Sequence, residues 1–122
     1  MEKNKMLSVV LKALDDKKAV DLQVIKVRDI TVLTDYFVIC TGSSTTHVKT
    51  LADEVDVKVK EELGEDPMHR EGYDGGRWIL LDYGEILVHV FSRDCREFYK
   101  LERLWADGEP VDVAEYIEGE NK

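Results

Sequence analysis

Two alternating runs, Arg77 to Asp82 and Ile86 to Phe91, sort apolar from mixed side chains with a period of two, and an aromatic-rich segment follows as far as Trp105. That pattern predicts a strand, a tight turn, a second strand and a helix. One strand face carries Ile79, Leu81, Ile86, Val88 and Val90, aliphatic side chains suited to a buried sheet face. The other carries Trp78, Leu80, Asp82, Leu87, His89 and Phe91. A two-residue Gly84-Glu85 loop pairs Tyr83 with Ile86. It also sets Trp78 opposite Phe91, Leu80 opposite His89 and Asp82 opposite Leu87. The mixed face has the make-up of a recognition surface.

Periodicity extends the plan over the rest of the chain. Met6, Leu7, Val10, Leu11 and Leu14 form a helical stripe, predicting a helix over 4–18. DLQVIKV, 21–27, alternates as a strand. A second strand covers 34–40, and its continuous Phe37, Val38 and Ile39 call for burial on both faces. Ser43 or Ser44 can cap the next helix, which runs to Leu63 with Val48, Leu51, Ala52, Val55 and Val59 facing inward and Gly64 as its stop. A short edge strand near 68–71 and a turn at 73–76 lead into the hairpin. The last helix starts at Ser92 or Arg93 and carries Phe98, Leu101, Leu104 and Trp105. The expected organisation is one α/β domain over 1–107, a single sandwich of a mixed sheet with flanking helices, and an acidic C-terminal tail over 108–122. If the first two helices cover the aliphatic face, the Trp78 face stays partly open and needs a partner.

Bulk properties narrow the classes of function. The 122 residues are 43% hydrophobic and 35% charged, as in ordinary soluble domains. No apolar run approaches the ~20 residues needed to cross a bilayer. The N-terminal segment reads as an amphipathic helix rather than a targeting sequence, so a cytoplasmic location is expected. Cys40 and Cys95 are expected as reduced structural thiols. With 26 acidic against 17 basic residues, the net charge is −9. An acidic chain without a basic stripe is poorly suited to bare nucleic acid and better suited to a basic protein surface.

Catalytic chemistry finds little support. Gly42-Ser43 sits at a helix start, where free N–H groups can meet an anion. Metal-assisted nucleotidyl transfer also needs paired carboxylates, and the strand after Gly76 offers Asp82 alone, with Leu80 where a second acid would stand. Asp53 and Glu54 lie within a helix and point about 100° apart. His47, His69 and His89 are dispersed, the cysteines lack metal-site spacing, and no cofactor is called for. Solvent-facing or hydrogen-bonded histidines are the plainer expectation, with a loose cluster of His47, His89 and Asp82 as the sharper one. A nucleotide-binding or nucleotidyl-transfer enzyme using Gly42, Ser43 and Asp82 remains the alternative. A homodimeric scaffold built on the Trp78 face is a third.

The wording of three segments adds a resemblance. WILLDYGEILVHVF followed by REFYKLERLW resembles the ribosomal silencing factor family, also called Iojap or RsfS. TDYFVICTGSSTTHV, 34–48, is similar to that family's first strand–loop–helix signature, and Glu71-Gly72 stands where the family carries its EG pair. The similarity spans Leu7 to Trp105. It implies an architecture related to the nucleotidyltransferase fold. It also implies binding to the large ribosomal subunit through ribosomal protein L-fourteen, which blocks joining of the small subunit and lowers translation under nutrient limitation. A part in large-subunit biogenesis is implied as well. Carried onto matching positions, Trp78 and Leu80 would be apolar anchors, Asp82 and His89 polar contacts, and Tyr83 and Leu87 the border of the patch. Asp35, Tyr36 and Ser44 match the first block, where they can equally serve folding.

Overall fold

The computed structural model describes residues 5–27, 34–73, 75–94 and 108–117. Helix α1 (Lys5–Asp16) leads into strands β1 (Val20–Lys26) and β2 (Tyr36–Gly42), and helix α2 (Thr45–Leu63) crosses to strand β3 (His69–Glu71). The hairpin β4 (Trp78–Asp82) and β5 (Ile86–Ser92) follows, then β6 (Glu109–Val111) and a short helix α3 (Val113–Ile117). The six strands make one sheet in the order β3-β4-β5-β2-β1-β6. β2 and β5 run parallel, and the other four pairings are antiparallel. The expected mixed-sheet α/β architecture is present.

The main core lies between the sheet and the helices. Leu7, Leu11 and Leu14 from α1 and Val48, Leu51, Val55 and Val59 from α2 meet Val38, Cys40, Ile79, Leu81, Ile86, Val88 and Val90. Fully burying such a side chain contributes about 1.5–3 kcal/mol. α1 buries more than its stripe, including Ser8, Val9 and Ala13, because α3 packs on it as well as α2. Across the sheet, Ile25, Val27, Ile39 and Phe91 form a second buried cluster with Phe37 and Trp78 packed against it. Burial of β2 on both faces therefore holds. Cys40 is buried and unbridged, whereas Cys95 lies outside the described residues.

Local signals set the boundaries of α2. Ser44 takes an extended conformation and accepts from the His47 N–H at 3.0 Å, and Gly64 (φ 69°) ends the helix with its N–H on the Lys60 carbonyl. β2 runs two residues past its expected end, since Gly42 still pairs with Ser92 in the parallel ladder. At the other end of the chain, residues 109–111 pair with β1, and Tyr116 enters the main core. Within the acidic C-terminal stretch, those residues lie against the body. A helix opens at Arg93 and Asp94; Phe98, Leu101, Leu104 and Trp105 lie outside the described residues.

Polar contacts tie α2 to the connection before β4. Arg70 pairs with Asp56, the Tyr73 hydroxyl donates to Asp53 at 2.9 Å, and Lys49 and Arg70 each approach the Tyr73 ring. Such half-exposed pairs are individually worth up to about 1 kcal/mol. Backbone packing matters more. Gly72 has a φ of 80°, and a Cβ there would fall on the Trp78 carbonyl oxygen. Gly72→Ala should thus strain both its own backbone and the start of β4, costing at least about 2 kcal/mol. Thermal unfolding measures this, and a wild-type melting temperature in that variant would contradict the close approach.

Candidate functional site

The hairpin sits in the register expected from its alternation: Trp78 faces Phe91, Leu80 faces His89 and Asp82 faces Leu87. Its tip is tight. Gly84 has a φ of 85°, and the Glu85 N–H turns back onto the Tyr83 carbonyl at 3.1 Å, a γ-turn that glycine accommodates at low cost. Asp82 Oδ1 accepts from the Gly84 N–H at 2.8 Å, so this carboxylate also shapes the turn. Across the other edge of β4, Asp82 pairs with His69 and Leu80 with Glu71.

The mixed face is open over β4 and at the Leu87 end of β5, and closed over the rest of β5. Trp78, Leu80, Asp82 and Leu87 are partly exposed, whereas Phe91 is fully buried and His89 is 8% exposed. His89 was expected among the direct polar contacts, but its ring sits inside an aromatic cage. Phe37 meets it edge-on at 5.5 Å, Phe91 lies parallel at 6.0 Å and Trp78 is tilted against it at 6.0 Å. Trp78 also stacks on Phe91, with centroids 5.0 Å apart. The indole Nε1–H of Trp78 donates to His89 Nδ1 at 3.2 Å, which leaves the imidazole proton on Nε2. Burial lowers the His89 pKa to about 4, so the ring is neutral at pH 7.

Tyr83 leaves the patch altogether. As the residue after Asp82 it falls on the same parity as Ile79 and Leu81, and it packs in the main core at 6% exposure. Its hydroxyl is buried without a hydrogen-bond partner. Burial pushes its pKa up to about 12, with Arg70 opposing the rise and Asp66 and Glu65 adding to it. Two contributors escaped sequence reasoning. Phe37 reaches His89 only because the parallel pairing sets it beside Leu87. Glu71 and Gly72 join Trp78 and Leu80 around a depression of about 260 Å³ at the β3–β4 edge. The Glu71-Gly72 pair was the available signal.

The residues of the nucleotidyl-transfer alternative are not brought together. Gly42 lies level with Ser92 at one end of β5, and Asp82 lies level with Leu87 near the other. Five residues of strand separate the two levels by roughly 17 Å. A cavity does lie at the Gly42 end, lined by Ser43, Ser44, Thr45, Arg77, Ser92, Arg93 and Asp94, with one carboxylate among them. His47 is engaged there by the Ser43 N–H and the Lys17 carbonyl, both at 2.8 Å, in line with the plainer expectation of a hydrogen-bonded histidine, and the sharper alternative of a cluster with His89 and Asp82 does not form. Among the described residues, no group of three or more His, Cys, Asp or Glu could hold a metal ion, and no helix is long and apolar enough to cross a membrane.

The fold is thus an α/β domain with partly exposed aromatic and aliphatic side chains on the mixed face of the hairpin, and the polar groups Asp82 and His89 engaged in holding the turn and the indole. Comparison with known proteins gives the kind. The whole chain, residues 1–122, matches the family described as ribosomal silencing factor during starvation, and it belongs to that family, RsfS. It is 38% identical over 113 residues to the ribosomal silencing factor RsfS of Halalkalibacterium halodurans, covering 93% of this chain and 96% of that protein. A crystal structure of a Chromobacterium violaceum protein superposes with a TM-score of 0.81 at 34% identity, over 95% of this chain and 98% of that one. A more distant relative is the mouse protein named mitochondrial assembly of ribosomal large subunit protein 1. It is 34% identical over 102 residues, which are 81% of this chain and 44% of the mouse protein.

The caged imidazole makes stability depend on pH with a definite sign. Below about pH 6.5 the unfolded chain protonates His89, while the folded chain resists until about pH 4. The unfolded state therefore binds more protons within that window, and its share of stability falls as pH drops through it, by on the order of 3 kcal/mol. Urea unfolding near pH 7 and near pH 4.5 tests this against His89→Leu. The acid-induced loss should be smaller in the variant, and equal losses would contradict a buried neutral ring.

Proposed function

We propose that this protein silences translation by binding the large ribosomal subunit through ribosomal protein L-fourteen and obstructing the joining of the small subunit. The observation that carries the proposal is the partly exposed β4 surface of Trp78, Leu80 and Asp82 with neighbouring Leu87, backed by the rigid cluster of Phe37, His89 and Phe91. Membership of the silencing-factor family supports the process, and the name of the mouse relative supports a large-subunit partner. Trp78 is the anchor of the docking surface, in keeping with the weight that tryptophan carries in interfaces. Leu80 and Leu87 extend its apolar centre, and Asp82, Glu71 and Glu85 give it an acidic rim.

That rim agrees with the net charge of −9, and both favour encounter with a basic protein over bare RNA. The mechanism is steric. Occupying part of the joining surface couples factor binding negatively to subunit association, because one must be displaced before the other can form. No group-transfer step is required of the chain.

Co-sedimentation with purified large and small subunits tests the proposal directly. Wild-type protein should pellet with large subunits and reduce the yield of joined ribosomes. Trp78→Ala should weaken binding by at least about 2 kcal/mol, roughly thirtyfold. Val57→Ser, on the exposed side of α2 across the sheet, should bind as the wild type does. Unchanged binding by folded Trp78→Ala would remove the β4 surface from the interface, and sedimentation with neither subunit would remove the function.

A further inference from the structure

We infer that His89 is a positioning residue for Trp78, acting through the indole hydrogen bond rather than by touching the partner. The inference rests on the proposed role of Trp78 as the docking anchor, and it reassigns a side chain whose residue type suggests a direct polar contact. Three observations carry it. First, the imidazole is 8% exposed, too little for a broad contact with a macromolecule. Second, Nδ1 faces the indole N–H of Trp78 at 3.2 Å. Third, Phe37 and Phe91 hold the imidazole at the angle this bond needs, one edge-on and one parallel.

Stacking alone would not define the anchor. Phe91 sets the plane of the Trp78 ring but tolerates its rotation within that plane and its reversal about χ2, since the contact with a phenyl face is sequence- and edge-tolerant. The hydrogen bond removes that freedom. It turns the nitrogen-bearing edge of the partly exposed ring toward β5. It also satisfies a donor that would otherwise have to be desolvated when the docking surface is covered, a penalty that the histidine removes beforehand. Histidine suits the place because a neutral imidazole offers an acceptor at Nδ1 within a flat ring that packs between aromatics.

The position discriminates between acceptors. In His89→Asn the side-chain oxygen stands close to where Nδ1 was and can still accept from the indole. In His89→Leu the volume is filled and the acceptor is gone. Large-subunit sedimentation should show His89→Leu weakened about tenfold, the equivalent of one lost net hydrogen bond, with His89→Asn recovering most of the loss. The spectroscopic arm uses nitrogen-15 NMR on the full chain, with the Trp78 indole signal assigned from Trp78→Phe. Wild-type His89 should show a bare Nδ1 and a protonated Nε2. The Trp78 indole N–H should exchange with solvent slowly in the wild type and His89→Asn, and quickly in His89→Leu.

Wild-type binding by His89→Leu, or an unprotected indole N–H in the wild type, would overturn the inference. Equal weakening in His89→Leu and His89→Asn, both folded, would overturn it too, by showing that the imidazole itself is the contact. If His89→Leu fails to fold, the wild-type tautomer and the His89→Asn binding still decide the matter. Failure of the docking proposal is separately visible, because Trp78→Ala would then bind normally while the indole N–H stayed protected.

Discussion

The parallel pairing of β2 with β5 is the constraint on which both the core and the mixed face of the hairpin depend. It runs from Tyr36 against Ile86 to Gly42 against Ser92. Along their middles both strands are covered on their two sides, so the apolar residues there are committed to one cluster or the other. Val38, Cys40, Val88 and Val90 go to the helices; Ile39 and Phe91 go to the opposite cluster, beside Phe37 and His89. A slip of one residue would exchange the two sets. It would carry the imidazole and its indole partner together to the leucine side of the sheet, because the hairpin register that pairs them is set by its own turn.

What could be read from sequence was what local chemistry determines. The hairpin register follows from alternation and a two-residue loop, and it places Trp78, Leu80, Asp82 and Leu87 on one face without knowledge of anything distant. The ends of α2 follow from Ser44 and Gly64, a cap and a left-handed stop. Two of the misses are non-local. Parallel strands are joined by a long crossover, so nothing near Phe37 announces that it will stand against His89. The three residues of β6 are too few to show a period, and they become a strand because β1 offers an unpaired edge. Tyr83 differs: the resemblance sets it at the border of the patch, whereas its parity, shared with Ile79 and Leu81, points inward.

The same topology separates this chain from the enzymes whose fold the resemblance brings to mind. Helix α2 begins with a capped turn and free N–H groups, a feature that would suit a phosphate. The acid that might have cooperated with it stands at the far end of the hairpin, where its carboxylate is engaged by the Gly84 N–H. The anion-friendly turn is in place, but an opposing metal-binding pair is not assembled among the described residues. Function has to be argued from what converges, and what converges is apolar.

Most of the polar side chains on the docking face are already occupied in supporting its shape. Asp82 holds the hairpin tip, and His89 holds the indole. Association loses translational freedom and, for each floppy side chain it immobilises, about 0.5–1.5 kcal/mol more. A tryptophan stacked on Phe91 and bonded to His89 has lost much of that freedom before the partner arrives. The stabilising bond is made within the folded chain, so it adds no attraction of its own to the complex; it keeps more of the apolar contact energy available as affinity. On the proposed reading, a small patch binds tightly only if little of its binding energy is spent on ordering itself.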